Sequence, residues 1–181
     1  MERSRRNPAR IFWTLIAVVV GTDVITKWLA VQALSPSHLS HRVLGDVVRF
    51  TLVYNRGAAF GLDLGQFSRW IFLALTLIAL AVLWRLYRRT APGESLRAVA
   101  IGLVCGGAVG NLIDRVRSPM GVVDFLDIGI GTKRWPTFNV ADVAVSIGAL
   151  LLAWVLWGDD EREPAPSSPP VAHPAEPSRG A

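Results

Sequence analysis

Two aspartates, Asp124 and Asp142, are the residues of this 181-residue sequence best suited to acid–base chemistry. If the segment between them folds back, their carboxyl groups can meet, and two close carboxyls cannot easily both ionise. One would hold a proton while the other acts as general base on water, which is the chemistry of an aspartic protease. The spacing leaves a structural alternative open, in which Asp142 caps a helix N-terminus and Asp124 sits in a turn.

Other hydrolytic chemistries have less support. Ser146 lies one helical turn after Asp142, but no histidine falls in an apolar run to act as its base. The three histidines are His38, His41 and His173. The sequence has no His-Glu-x-x-His zinc motif, and its single cysteine, Cys105, can form neither an internal disulfide nor a cysteine metal cluster. Neither a zinc mechanism of that type nor a cysteine metal site is therefore supported.

Polar residues interrupt the apolar parts of the sequence at three places. These are Asp23 with Lys27, Asn111 with Asp114 and Arg115, and Asn139 with Asp142. Measured from the basic or aromatic residues that flank each run, all three lie about 20–22 Å along a helix that rises 1.5 Å per residue. A charge in hydrocarbon costs about 2.5–3.5 kcal/mol on insertion scales. Their common depth therefore predicts one working site.

Four long apolar runs must position these groups. Hydrophobic residues make up 51% of the sequence and charged residues 18%, and the runs cover about 11–34, 70–84, 98–113 and 143–157. Flanking residues complete the roughly 17–25 residues that cross a bilayer core. The pattern predicts an all-α membrane protein with four transmembrane helices. The first run carries Asp23 and Lys27 and lacks a small-residue cleavage pattern, so we expect it to be retained rather than cleaved as a signal peptide.

The arginines indicate an orientation. Dense basic clusters flank the first three runs on the side of the N-terminus, with ten arginines on that side against eight basic residues on the other. The clusters predict cytoplasmic N- and C-termini, which places the polar groups near the outer leaflet. The formal charge of +5 favours contact with membrane lipid rather than nucleic acid, because no compact soluble basic domain is visible.

The segments outside the runs differ in character. Residues 1–10 form a basic cytoplasmic N-terminus, residues 11–158 the membrane domain, and residues 159–181 a Pro-rich tail that we expect to be disordered and cytoplasmic. Arg42 to Tyr54 is rich in β-branched and aromatic residues and predicts short strands in a small extracytoplasmic β-rich cradle. The glycines and alanines of Asn55 to Gly61 permit close approach to a ligand, and we expect this loop and the sheet to form a movable cradle.

Five segments in order along the chain resemble the signature blocks of bacterial lipoprotein signal peptidase, also called signal peptidase II. They are Asp23–Lys27, Asn55–Phe60, Gly110–Arg115, Val122–Phe125 and Phe138–Asp142. The resemblance extends over about residues 11–157. It implies an intramembrane aspartic endopeptidase of the bacterial inner membrane, without cofactor and acting as a monomer. The implied substrate is a diacylglyceryl-modified prolipoprotein, cut immediately before its lipidated cysteine.

The resemblance also implies roles for individual residues. Asp124 and Asp142 match the catalytic aspartates. The family's polar residues that line and orient the peptide-binding site correspond to Asn55, Asn111, Arg115 and Asn139 of this chain. Its supporting positions correspond to Asp23, Lys27 and Asp114. The alternative for Asp23 and Lys27 is that this pair, one helical turn apart, only joins helices.

A competing interpretation is a non-enzymatic membrane protein, such as a small transporter or a lipid-binding subunit. Its acidic residues would relay protons or bind cations. Such a protein needs a polar path across the membrane. The inner parts of the four runs are nearly free of polar residues beyond their arginine flanks, which favours a site open to one side only.

Overall fold

The computed structural model describes residues 7–57 and 65–160, which form four long helices and a four-stranded sheet. In chain order these are α1 (Pro8–Ala33), β1 (Ser40–Leu44), β2 (Val48–Asn55), a short 3-10 helix (Gly65–Phe67), α2 (Ser68–Arg88), α3 (Ser95–Arg117), β3 (Val122–Ile130), β4 (Lys133–Arg134) and α4 (Val140–Asp160). All four helices are long and apolar enough to cross a membrane, α4 over Val140–Gly158. The prediction of a four-helix membrane protein with a small sheet is confirmed.

The helices are longer than the apolar runs, because polar residues that flank the runs are helical as well. Asn7 precedes α1 and its Oδ1 accepts a hydrogen bond from the Ala9 N–H at 3.0 Å, with Pro8 at the first helical position. At the other end of the chain, α4 begins at Val140, three residues before its apolar run. Asp142 therefore lies in the first turn of α4.

Helix α3 packs against the other three helices, and its glycines permit close approach. A Cβ on Gly106 would lie 2.8 Å from the Val19 Cβ in α1, and one on Gly107 would lie 2.3 Å from the carbonyl oxygen of Ala141 in α4. These short distances show that the glycines of α3 serve close helix packing. Cys105 of α3 is buried as a small packing residue in an apolar cluster with Phe12 of α1 and Leu83 of α2.

The sheet is larger than the sequence predicted. Its strand order is β1-β2-β3-β4, with every neighbouring pair antiparallel. The strands expected between Arg42 and Tyr54 are β1 and β2, whereas β3 and β4 were not predicted. The alternative that Asp124 sits in a turn was wrong, because it lies in β3 opposite Val53. Buried carboxylates at Asp124 and Asp127 break the apolar pattern by which a strand is recognised.

One face of the sheet packs on the end of α1. Leu52 from β2 and Val123 and Phe125 from β3 form a buried cluster with Ala30 and Leu34. This cluster fixes the sheet against the end of the helix bundle, which we call the sheet end. Asp124 is thereby held close to the start of α4.

Some predictions fall on residues outside the described part of the chain. They concern residues 1–6, residues 58–61 of the loop after Asn55, and residues 161–181 of the Pro-rich tail. The disordered tail and the movable loop therefore stay predictions.

Candidate active site

The start of α4 is built around Asn139 and Asp142. The Asn139 Oδ1 accepts the Asp142 N–H at 2.9 Å, and the Asp142 Oδ2 accepts the Asn139 N–H at 3.2 Å. These reciprocal bonds form a capping box. The N–H of Ala141 donates to Asp23 Oδ1 on α1 at 2.9 Å. Asp142 therefore does cap the N-terminus of α4, as the structural alternative predicted. It does so through Oδ2, whereas its Oδ1 accepts a different hydrogen bond.

Asp124 is almost fully enclosed, with 2% of the residue exposed. Its Oδ1 accepts a hydrogen bond from Asn139 Nδ2 at 2.6 Å, and its Oδ2 accepts one from Asn55 Nδ2 at 3.1 Å. Asn55 approaches this closely because Gly121, with φ of +103°, precedes β3, and a Cβ there would lie 2.2 Å from the Asn55 carbonyl oxygen. A glycine is therefore required at the start of β3.

Three asparagines present their amide nitrogens to the two carboxylates. Asn139 and Asn55 donate to Asp124, and Asn111 Nδ2 donates to Asp142 Oδ1 at 2.7 Å. Each amide oxygen is held by another donor, which fixes the orientation of the amide. The donors are the Asp142 N–H for Asn139, the Gly57 N–H at 2.9 Å for Asn55, and Lys27 Nζ at 2.9 Å for Asn111.

Lys27 lies buried at the centre of a charged cluster. Its Nζ is 2.7 Å from Asp23 Oδ2 and 2.9 Å from Asp114 Oδ2, and it donates to Asn111 as well. An ammonium has three donors, so all three are engaged. Asp114 Oδ2 also accepts the Val123 N–H at 3.2 Å. The cluster therefore connects α1, α3 and β3 directly beneath the two carboxylates.

Arg115 supplies the second positive charge. It is half-buried, its Cζ lies 5.8 Å from the centre of the Phe72 ring, and its charge interacts with those of Asp142, Asp124 and Asp114. Four carboxylates thus surround two cations. Negative charge is in excess when every group is ionised, and uptake of a proton relieves it.

Burial, and after it repulsion from the Asp142 charge, raise the pKa of Asp124 to about 7. Hydrogen bonds from Asn55 and Asn139 and the charge of Lys27 oppose the rise without cancelling it. Asp142 is more open to solvent than Asp124. The two carboxyls therefore occupy different environments, which is the arrangement that separates an acid from a base.

All nine predicted site residues come together at the sheet end. They are Asp23, Lys27, Asn55, Asn111, Asp114, Arg115, Asp124, Asn139 and Asp142, and we call them the carboxylate network. Their catalytic, binding and supporting roles stay predictions, as do the absences of a metal and a cofactor.

Sequence reasoning missed a polar ladder across the sheet. Ser40 and Thr51 share a hydrogen bond between their hydroxyls, Thr51 donates to Asp127 Oδ2, and Arg134 Nε donates to Asp127 Oδ1 at 2.5 Å. Arg134 also donates to the Asp46 carbonyl oxygen. One residue from each strand takes part, so the ladder holds β3 and Asp124 rigidly in the sheet. The only signal was Asp127 itself, a second carboxylate three residues after Asp124.

Arg69 was also missed. From the first turn of α2, its Nε donates to the Arg115 carbonyl oxygen at 2.5 Å and its Nη2 to that of Val116 at 2.9 Å. These carbonyls belong to the last turn of α3, where the helix has no partners of its own. Arg69 thus supports the backbone that carries Arg115. The contact is purely tertiary, and no local sequence pattern predicts it.

Fold and site define a multi-pass membrane protein with one buried and one partly exposed carboxylate, Asp124 and Asp142, at one end of its helices. The sequence matches the family model described as Signal peptidase (SPase) II over residues 15–157. The chain belongs to this family and is therefore an enzyme, an aspartic peptidase. Membership excludes the non-enzymatic interpretation.

Individual relatives agree with the family assignment. The chain is 42% identical over 161 residues to a lipoprotein signal peptidase of Nitratidesulfovibrio vulgaris (strain DP4), covering 87% of this chain and 93% of the relative. It is 42% identical over 144 residues to that of Geobacillus thermodenitrificans (strain NG80-2), covering 80% and 88%. A solved bacterial membrane enzyme superimposes with a TM-score of 0.74 at 31% identity, covering 87% of this chain and 94% of that one.

Proposed function

We propose that this peptidase removes the signal peptide from diacylglyceryl-modified prolipoproteins and cuts immediately before the lipidated cysteine. The curated relatives are named lipoprotein signal peptidases, and the chain spans most of their length. The observation that carries the mechanism is that Asp124 and Asp142 are joined through Asn139, which donates to one and exchanges two hydrogen bonds with the other.

Asp124 is the proton-holding member of the pair and Asp142 the base. Burial and the neighbouring charge keep Asp124 partly protonated near neutral pH, with a pKa of about 7. Asp142 lies in the first turn of α4 and is open enough to reach a water molecule. It takes a proton from that water as the oxygen attacks the scissile carbonyl carbon. The Asp124 proton hydrogen-bonds the developing oxyanion.

The tetrahedral intermediate then collapses. The proton that Asp142 took from water passes to the nitrogen of the leaving cysteine, the C–N bond breaks, and the signal peptide leaves with a new carboxyl group. Both aspartates recover their starting protonation states. Arg115 stabilises the negative charge that builds up between them, because its guanidinium already interacts with both.

The remaining residues of the carboxylate network hold this geometry. Asn55, Asn111 and Asn139 keep the carboxylate oxygens directed toward one another, and each amide is itself locked by a donor on its oxygen. Lys27 neutralises Asp23 and Asp114 and fixes Asn111. These contacts pre-organise the site before substrate binds.

We place the site at the outer leaflet of the bacterial inner membrane, with both termini in the cytoplasm. Arg85 and Arg88 end α2 and Arg97 begins α3, all at the end of the bundle away from the sheet. Basic residues of this kind mark the cytoplasmic side. A signal helix in the bilayer and a lipid on the cysteine would together hold the scissile bond at the depth of the carboxylate network.

The test compares two precursors that differ only in the diacylglyceryl group on the cysteine. Purified protein in detergent should release the signal peptide from the lipidated precursor, with the new N-terminus at the modified cysteine by mass spectrometry. The unlipidated precursor should be cut at least about 100-fold more slowly, because one anchor is lost. Equal cleavage of both would remove lipid recognition from the proposal, and a cut elsewhere would remove the assigned bond.

A further inference from the structure

A second polar cavity lies at the sheet end, beside the carboxylate network but built from different residues. It has a volume of about 540 Å³. Its lining includes Arg56, Ser68, Arg69, Trp70, Pro119 and Gly121. None of the nine network residues is among the residues that line it.

The cavity is positively charged. Arg56 is exposed, and the ion pairs recorded within residues 7–57 and 65–160 involve other cations. Arg69 donates to two carbonyl groups, which orient its guanidinium but do not neutralise it. No described carboxylate lines the cavity. An anion is the ligand that such a site attracts.

The N-terminus of α2 adds to this charge. The 3-10 helix Gly65–Phe67 runs directly into α2 at Ser68, no side chain caps this junction, and the first turn of α2 contains no acidic residue. The positive end of a helix dipole normally has a carboxylate, a capping side chain or a bound anion beside it. Here Arg69 occupies the first turn instead, so an external anion would supply the missing negative charge.

The buried hydroxyl of Ser68 is independent evidence for a ligand. The residue is 2% exposed, it lines the cavity, and its Oγ has no hydrogen-bond partner. Buried hydroxyls are nearly always hydrogen-bonded in native proteins. An oxygen atom of a ligand in the cavity would satisfy this hydroxyl, which no described residue does.

The depth of the cavity indicates which anion. Ser68 is the first residue of α2 and Pro119 comes two residues after the end of α3, so the cavity lies where two membrane helices end. Phe67 and Trp70 beside it are 61% and 60% exposed. Aromatic residues at helix ends mark the level of lipid headgroups. The anion available at that level is the phosphodiester of a phospholipid.

We propose that this cavity binds the phosphate of a phospholipid headgroup from the leaflet on the sheet side. The phosphate oxygens accept hydrogen bonds from Arg56 and from the Ser68 hydroxyl, within the field of Arg69 and the α2 N-terminus. Trp70 packs beside the acyl–glycerol part. The bound lipid would join β2, α2 and the α3–β3 turn next to the active site.

Thermal unfolding in a non-ionic detergent tests this site without any assay of activity. The probe is short-chain phosphatidylglycerol, compared with diacylglycerol of the same chain length and with inorganic phosphate. We expect a saturable rise in Tm with phosphatidylglycerol only, because ligand binding to the folded state stabilises it. Arg56→Gln should weaken the apparent affinity at least about tenfold by loss of a charge-assisted bond, and Ser68→Ala should weaken it several-fold.

Two controls distinguish this site from general attraction. Arg42→Gln removes an exposed charge from β1, on the same side of the protein, and should leave the affinity unchanged. Ser68→Ala should not lower the Tm measured without lipid, because no protein hydrogen bond is lost. Equal weakening by Arg42→Gln and Arg56→Gln would overturn the site. Equal stabilisation by inorganic phosphate would overturn the lipid as its source, and a lower lipid-free Tm for Ser68→Ala would overturn the role of its hydroxyl.

Discussion

Asn111 connects Lys27 to Asp142. Its Oδ1 accepts a hydrogen bond from Lys27 Nζ at 2.9 Å, and its Nδ2 donates one to Asp142 Oδ1 at 2.7 Å. A lysine only donates and a carboxylate only accepts, so the amide can point in one direction alone. The buried charge on α1 thus determines the hydrogen bond that Asp142 on α4 receives.

The first prediction follows from this connection. Lys27→Met should destabilise the protein by about 3–5 kcal/mol, because it leaves the buried carboxylate of Asp23 and the partly buried carboxylate of Asp114 without a cation. Cleavage should fall as well, since Asn111 loses its orienting donor. Chemical unfolding in detergent measures the stability of the variant.

A triple variant separates the two effects. Lys27→Met combined with Asp23→Asn and Asp114→Asn removes all three charges, and we expect it to regain most of the stability but little of the activity. Full recovery of cleavage would show that Lys27 serves stability alone.

The second prediction concerns the two aspartates. Asp124→Asn and Asp142→Asn should each reduce cleavage by at least about 100-fold, because an amide keeps the shape but cannot exchange the proton. Glu94→Gln, which neutralises a carboxylate at the far end of α3, is the matched control and should retain full turnover. Normal turnover by either purified aspartate variant would exclude that residue from the mechanism.

The sequence predicted the helices better than the sheet, for a physical reason. Apolar runs mark a membrane helix by themselves, whereas Asp124 and Asp127 are stabilised in β3 by partners on other elements of the fold. Asp124 is held by Asn55 and Asn139, and Asp127 by residues of β2 and β4. The convergence of the nine residues was predictable from equal helix depths and from the family resemblance. The bonds that orient Asn111 were not, because they depend on the packing of α3 against α1 and α4.

The third prediction is a pH dependence. The pKa of Asp124 rises from 3.8 to about 7 on folding, chiefly through burial. The folded state therefore holds this proton more tightly than the unfolded state, and the contribution of Asp124 to stability falls as pH rises from about 4 to about 7. The loss is on the order of 4 kcal/mol for a shift of this size.

Asp124→Asn isolates this effect. The variant should lose the pH-dependent part of its stability that lies between about pH 4 and 7, because the amide does not titrate in this range. Unfolding measured across this pH range decides the point. If the free energy of unfolding changed equally with pH in both proteins, the proton would belong to another group. Cleavage by the unaltered protein should decline above pH 7 as Asp124 loses its proton.

The last prediction concerns the approach of α3 to the first turn of α4. A Cβ on Gly107 would lie 2.3 Å from the Ala141 carbonyl oxygen, which is backbone and cannot rotate away. Gly107→Ala should therefore destabilise the protein by about 1–3 kcal/mol through overpacking. It should also lower kcat, because Ala141 precedes Asp142 and the displaced turn carries that carboxylate away from Asn111. Gly21→Ala in α1 is the matched control, since a Cβ there meets nothing within 4 Å. This variant should be neutral or slightly more stable, because alanine favours a helix over glycine. If both variants behaved alike, the contact between α3 and α4 would have no part in positioning Asp142.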